Sequence, residues 1–325
     1  MERKAKINQA NKLRGYGEYM STSVKKMTKG QRGDFLFHLA LIAWPILQFI
    51  VFYIVVNVNS FKLAFEGVSG GFSFEHFKYV FSDAMFPAVK DALLTSLEFF
   101  AITTVISVPL GLLFAYYIFK KAVGGKMFRF FLFLPSIVSS MVMVVLFSEF
   151  LDTAAADILF DWFGINLKGQ ALFNALDRSS YKAVLFFYIW TNFGTTTLIY
   201  SNKMSELPPE TLEAAQLDGV NSFQEFIYIV LPFAFPTASV FLVTGVATIC
   251  TNQYNIFSFY GGSVAFDSGT MGYYLFNLVQ DYASRNVWDV VWFNRAAALS
   301  LVVTVIVIPI TLGVRWVLDK YGPQE

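Results

Sequence analysis

Tyr188, Thr191, Asn192 and Thr195 recur at i, i+3, i+4 and i+7 within an apolar stretch. That spacing puts their hydroxyl and amide groups on one face of a helix. In the next apolar stretch Thr244, Thr248, Thr251 and Asn255 fall at i, i+4, i+7 and i+11. All of these groups are neutral and hydrogen-bonding. Together with the rings of Tyr188 and Trp190 they offer what a polyhydroxylated solute asks for: donors and acceptors for its hydroxyls and an aromatic platform for its ring. Two such stripes on consecutive helices would line a shared cavity. The alternative is that they serve helix–helix packing, the common use of small polar residues in membrane helices.

Other chemistry is sparse. Cys250 is the one cysteine, so a disulfide within the chain and a thiolate metal site are both excluded. His38 and His76 stand far apart, with no ligand spacing around either. The sequence holds no H-E-x-x-H and no histidine cluster, so a membrane-embedded metal-dependent hydrolase has nothing to work with. Gly124-Gly125-Lys126 lacks the upstream glycine and the following Ser/Thr of a phosphate loop, and the chain therefore has no ATP-hydrolysing motif. Glu98 lies in an apolar stretch. A carboxylate in lipid is expensive and marks a functional or paired group, unless it sits at the membrane edge, as the nearby Asp91 suggests.

The elements that must position these residues are membrane helices. Of 325 residues, 56% are hydrophobic and 14% charged, against about 25% charged in an average soluble domain. A bilayer core needs about 20 apolar residues in a helix. Six stretches qualify: about Phe35–Val56, Ala92–Phe119, Phe128–Phe147, Ala183–Tyr200, Phe226–Cys250 and Ala296–Val317. Backbone groups in lipid must be paired internally, and no alternating barrel pattern is present, so the expected fold is all-α and polytopic with six membrane helices. The polar start of the chain and the late, long first span do not read as a cleaved signal peptide.

Lys/Arg bias sets the orientation. Cations crowd the segment from Arg3 to Arg32, the second connection (Lys120, Lys121, Lys126, Arg129) and the end (Arg315, Lys320), which places both termini in the cytoplasm. The first, third and fifth connections are acidic or mixed and face outward. The expected organisation is a basic cytoplasmic tail over 1–34, a first helix and extracytoplasmic loop over 35–91, a five-helix core over 92–318 and a short cytoplasmic tail over 319–325. The basic tail serves as a topology anchor or lies on the anionic inner leaflet. One connection breaks the charge pattern. The fourth, inside by parity, carries Glu206, Glu210, Glu213, Asp218 and Glu225 against Lys203.

That connection, about 205–232, contains a short helix. Pro208 and Pro209 suit a helix start, where a missing N–H costs nothing. Glu210 and Glu213 sit favourably in the first turns, and Gly219 suits the C-terminal position. Leu212, Ala215 and Leu217 give it a partly apolar face. A surface-lying membrane helix would be rich in Lys/Arg. This one is acidic, which favours docking to a protein.

Glu213-Ala214-Ala215, three residues, Gly219, nine residues, then Ile229-Val230-Leu231-Pro232 resembles the EAA loop of importer permeases of the ATP-binding-cassette superfamily at every defined position. The resemblance runs over about Ala92–Val317. Leu134-Pro135-Ser136, Ile189-Trp190 with Gly194, and Phe259-Tyr260-Gly261-Gly262 with Thr270 are similar to the sugar-type members. Ser263 stands where those members usually have proline.

The resemblance implies that the connection forms a cytoplasmic coupling helix entering a cleft of an ATPase subunit, with Glu213, Ala214, Ala215, Asp218, Gly219, Ile229, Leu231 and Pro232 as its coupling residues. It implies a second homologous permease, two copies of an ABC ATPase that hold ATP and magnesium, and an extracytoplasmic substrate-binding protein. The chain itself then holds no cofactor, contacts lipid and binds no nucleic acid. It sits in a bacterial cytoplasmic membrane and carries a sugar or oligosaccharide past Tyr188, Trp190, Thr191, Asn192, Thr195, Thr244, Thr248 and Thr251. The rival is an ion-coupled secondary transporter of a small polar solute. Such a transporter would want mid-membrane charges, and apart from Glu98 the spans carry almost none.

Overall fold

A computed structural model describes residues 29–151, 161, 181–262, 269–284 and 290–323. Most of the basic tail, the greater part of the third connection and Ser263 lie outside the described residues. The chain divides into two units, residues 1–60 and 61–325.

In the first unit, α1 (Lys29–Gln48) runs into a π-helical stretch, Phe49–Val55, and then into α2 (Val56–Phe65), which crosses the boundary between the units. Polar side chains turn back onto their own helix. The Asn57 amide donates to the Tyr53 carbonyl at 2.6 Å and the Ser60 hydroxyl to the Val56 carbonyl at 3.0 Å. Such back-bonding satisfies a polar group where no water is available.

The second unit begins with the end of α2, a short turn and α3 (Glu75–Val80). The rings of Phe65, Phe72, Phe74 and Phe77 pack on one another around this turn. Glu66 anchors the region, because its carbonyl meets His76 Nε2 at 2.8 Å and accepts from Asn294 at 3.1 Å.

The spine is α4 (Phe86–Phe119), 34 residues and so about 51 Å long. Val89, Ala92, Ser96, Phe99 and Thr103 form a buried stripe at three- and four-residue spacing, and Leu112 and Ala115 are buried further along. Three core clusters hang on these residues. One joins Val89 and Ala92 to Met271, Tyr274, Ala298 and Leu299. The second joins Phe99 to Tyr181, Val184, Tyr254 and Tyr273. The third, near the basic end, joins Leu112 and Ala115 to Tyr200, Met204, Phe226, Val230 and Ala234.

The expected third span is broken. α5 (Gly125–Ile137) and α6 (Ser140–Glu149) meet at a bend of 103°. Val138 and Ser139 are extended there (ψ 143° and 133°), and Pro135 removes a donor just before. The Leu134-Pro135-Ser136 motif thus lies just before the break.

α7 (Tyr181–Met204) covers the fourth stretch. Its Gly194 lets α5 approach so closely that a Cβ at this position would lie 2.0 Å from the Leu132 carbonyl oxygen. After α8 (Pro209–Leu217), α9 (Ser222–Glu225) and a second π-helical stretch (Phe226–Val230), α10 (Leu231–Thr248) crosses back. The π stretch ends where Pro232, lacking an N–H, breaks the i→i−4 ladder. α11 (Ile256–Tyr260), α12 (Met271–Ser284) and α13 (Val290–Tyr321) complete the described residues.

Among the described residues, four helices are long and apolar enough to span a bilayer: Gly33–Phe65, Phe86–Phe119, Ser222–Thr248 and Val291–Tyr321. The bent α5–α6 pair makes a fifth if it counts as one span. α7 is 24 residues long, but Lys182, Asn192, Asn202 and Lys203 lower its apolarity. The protein is an all-helical, multi-pass membrane protein. Leu94, Leu97, Val105, Val142, Val145, Val305 and Ile308 are among many large apolar residues left exposed, as a lipid-facing surface requires.

Candidate functional site

The fourth connection is built by local signals that agree with one another. Pro208 precedes α8 in an extended conformation and Pro209 opens it. The helix ends in a Schellman motif: Gly219, at φ +75°, donates to Gln216 at 3.1 Å and Val220 donates to Ala215 at 3.0 Å. Two residues later Asn221 starts α9 with a reciprocal capping box, in which its side chain accepts from Gln224 N at 2.9 Å and the Gln224 side chain accepts from Asn221 N at 3.1 Å. Two helices are thus joined by a turn whose backbone groups are satisfied locally.

This turn is fastened to the spine by Glu225. Its side chain is 4% exposed and takes Lys120 Nζ at 2.9 and 3.0 Å. The Tyr116 hydroxyl, one turn earlier on α4, lies 3.1 Å from Glu225 Oε1 and 3.0 Å from the Ser222 carbonyl. A buried carboxylate is tolerable only when paired and hydrogen-bonded, and here both conditions are met. Glu225 and Lys120 were visible in the sequence as charges of two loops, but nothing in their spacing revealed that they pair.

Below this latch, Ile229 and Leu231 pack onto the third core cluster, and Pro232 lies in the first turn of α10. Ala215 and Leu207 are buried as well. Glu213, Ala214 and Asp218 are exposed. One expected packing residue is placed differently. Leu217 does not share the inward face of Leu212 and Ala215; it is 89% exposed, and Phe223 at the start of α9 is 73% exposed. Two residues beyond Ala215 is about 200° around a helix, which turns Leu217 away from the core. The α8–α9 segment therefore exposes two large apolar side chains as well as Glu213 and Asp218.

The polar stripes are arranged less simply. On α7, Thr191 Oγ1 donates to the Phe187 carbonyl at 2.9 Å and the Asn192 amide to the Tyr188 carbonyl at 2.9 Å. Asn192, Thr195 and Trp190 are exposed, whereas Tyr188 and Thr191 are half-buried. α10 ends at Thr248, so Thr251 and Asn255 leave the expected helical register, and Tyr254 and Asn255 adopt φ of +50° and +64°. Thr248 hydrogen-bonds the Thr244 carbonyl at 2.9 Å. Thr244 and Thr251 border grooves shared with α13, Thr244 near Arg315 and Asp319 and Thr251 near Thr304 and Thr311.

Where the two segments do meet, the link is a residue outside the expected stripes. Asn252 donates to the Tyr188 hydroxyl at 2.8 Å, and its side-chain oxygen accepts from Tyr254 N at 2.9 Å. The Tyr188 and Tyr254 rings lie 4.6 Å apart. Thr270 donates to the Asn252 carbonyl at 3.1 Å, and the Tyr273 hydroxyl donates to the Gly261 carbonyl at 2.8 Å. Gly272 lets α12 touch this loop; a Cβ there would sit 2.5 Å from the Thr251 carbonyl oxygen. The polar run Thr251-Asn252-Gln253 was the available signal for a helix end. Glu98 is exposed on α4, 21 residues or about 32 Å from Phe119.

The profile of the binding-protein-dependent transport system inner membrane component family matches residues 107–324. An arabinooligosaccharides transport system permease protein, AraP, of Halalkalibacterium halodurans is 32% identical over 209 residues, covering 63% of this chain and 65% of its own. Its Bacillus subtilis counterpart is 27% identical over 205 residues, covering 61% of this chain and 64% of its own. The match thus spans a little under two thirds of these two relatives' length. A multiple sugar-binding transport system permease protein, MsmF, of Streptococcus mutans is 24% identical over 281 residues, covering 82% of this chain and 89% of its own. The fold is shared with a chain of a bacterial ABC transporter involved in alginate import, at TM-score 0.74 and 20% identity, covering 90% of this chain and 98% of that one. The match over residues 107–324 contains the whole α8–α10 turn and its latch, and the chain belongs to the binding-protein-dependent transport system inner membrane component family.

Proposed function

We propose that this chain is the permease subunit that forms half of the translocation pathway of an ATP-driven importer, for a sugar or oligosaccharide delivered by an extracytoplasmic binding protein. Six spans, counting α7 and the bent α5–α6 pair, leave both termini in the cytoplasm of a bacterial cell. A second homologous permease supplies the other half of the pathway. Two ATPase subunits hold ATP and magnesium and supply the energy; the chain itself performs no catalysis. The sugar assignment is supported by relatives named for arabinooligosaccharides and multiple sugars. It is also supported by the neutral character of Tyr188, Thr191, Asn192, Thr195, Thr244, Thr248 and Thr251, beside the Trp190 ring.

The observation that carries the proposal is the α8–α9 turn. It projects Leu217, Phe223, Glu213 and Asp218 outward while Glu225 and the Ile229–Leu231 segment tie it to the membrane helices. A segment exposed in front and fixed behind suits a coupling helix, because motion of a docked ATPase passes into α4 and α10 rather than into a slack loop. A nucleotide state then shifts the permease only as far as it binds one conformation better than the other.

The test is Glu213→Lys. Like charges brought together at an interface cost several kcal/mol. The variant should insert normally, recover less ATPase on pull-down and lose substrate-stimulated ATP hydrolysis. Full ATPase association with full stimulated hydrolysis would remove Glu213 from the coupling contact.

A further inference from the structure

The turn between α4 and α5 encloses a second feature, on the same end of the spine as the latch but separate from it. A cavity of about 590 Å³ lies between the end of α4, the first turn of α5 and the last turn of α7. Lys121, Lys126 and Arg129 line it, with Ser201, Asn202 and Ser205 opposite. No acidic residue lines it, and the three cations have no ion-pair partner among the described residues. The turn is held in shape by the Tyr117 hydroxyl, which donates to the Val123 carbonyl at 2.5 Å, and by positive φ at Lys121 (+51°) and Gly124 (+80°).

The placement of these cations is electrostatically unfavourable by itself. α5 starts at Gly125 with no side-chain cap and no acid in its first turn. The Gly125 N–H already donates to the Ala122 carbonyl at 2.9 Å, but the next N–H groups and the macrodipole present positive charge there. Lys126 stands in that first turn and Arg129 one turn on, so cations face the positive end of a helix. The positive-inside rule asks for cations on this side of the membrane, but it does not ask them to converge on a cavity at a helix N-terminus. An anion in the cavity would resolve both conflicts. A phosphate suits it best, since Arg offers a fork of donors and the helix start adds backbone N–H groups.

The surroundings indicate where the phosphate comes from. Met127, Phe130 and Phe131 continue along α5 from the cations and are 66%, 60% and 58% exposed. Cations on the same turns of a helix as exposed apolar side chains are the profile of a headgroup boundary, with acyl chains lying along the apolar side. We propose that this cavity binds the phosphate of an anionic phospholipid headgroup, with the acyl chains against α5.

The full-length chain, purified in detergent and stripped of lipid, would be offered phosphatidylglycerol and phosphatidylcholine at equal concentration and examined by native mass spectrometry. Phosphatidylglycerol should be retained in preference, by about fivefold for each cation engaged. The preference should fall stepwise in Arg129→Gln, Lys126→Gln/Arg129→Gln and the triple variant with Lys121→Gln. Equal retention of the two lipids by the unmodified chain, a comparison that needs no variant, would overturn the proposal. So would an undiminished preference in a triple variant that still elutes as a folded particle. Displacement of the lipid by millimolar inorganic phosphate would reject the lipid as the source and leave a free-anion site. If the triple variant loses ATPase recovery while lipid retention is unchanged, the cavity is a protein dock and the proposal fails.

Discussion

The carboxylate of Glu225 lies 2.9 and 3.0 Å from the ammonium of Lys120, 105 residues away along the chain, and is almost wholly buried. The two partners are unequal, for Lys120 is about a third exposed and Glu225 is 4% exposed. Removing the cation should therefore hurt more than neutralising the anion. Lys120→Ala leaves a buried charge without its counter-ion and is expected to cost about 3 kcal/mol, the low end of the range for broken buried pairs. Glu225→Gln keeps the shape and much of the hydrogen bonding and should cost about 1–2 kcal/mol. Thermal denaturation of the purified protein, followed by size-exclusion chromatography, would rank them. The exchanged pair Lys120→Glu/Glu225→Lys should recover part of the loss; if it is worse than either single change, the pair acts through packing and not charge.

Gly219 offers a cleaner test of backbone strain. A Cβ there meets nothing within 4 Å, so only the +75° φ opposes a side chain. Gly219→Val should cost about 1–2 kcal/mol of local stability, impairing ATPase recovery and uptake while membrane abundance stays normal. Gly219→Asn, which tolerates left-handed backbone, should be milder. Equal behaviour of the two variants would mean that the conformation is not what matters.

At Gly194 the constraint is space. Its missing Cβ would stand 2.0 Å from the Leu132 carbonyl oxygen, so Gly194→Ala must push α5 away from α7. Overpacking of this kind costs about 1–3 kcal/mol. Gly313→Ala, with nothing within 4 Å, serves as the matched control and should be neutral or slightly stabilising. Membrane abundance of the two variants after expression would show the difference.

Tyr188 separates the solute path from simple packing. Tyr188→Phe removes only the hydroxyl that accepts from Asn252, whereas Tyr188→Ala also removes the ring packed at a tilt against Tyr254. Asn192→Ala removes an amide that lies on the exposed face of α7. If that face meets solute, Asn192→Ala and Tyr188→Ala should raise the half-saturating substrate concentration in uptake assays, with ATPase assembly intact. Unchanged transport kinetics in both variants would return the stripe to helix packing.

The sequence alone determined the helical class, the membrane, the family and the local form of the α8–α9 turn. These follow from signals that act over a few residues. Apolar runs long enough to cross a bilayer leave a backbone no choice but helix. Pro209 and Gly219 bracket α8 because one lacks an N–H and the other lacks a Cβ. The tertiary structure decided what those elements touch. It bent the expected third span between Ile137 and Ser140, ended α10 at Thr248 before the threonine stripe was complete, and turned Leu217 outward. It also paired Glu225 with Lys120 and Tyr188 with Asn252. None of these was legible beforehand, for a common reason. Periodicity fixes which residues share a face of one helix. Which faces meet depends on approaches such as that at Gly194 and on the charges left to be satisfied once the helices are in place.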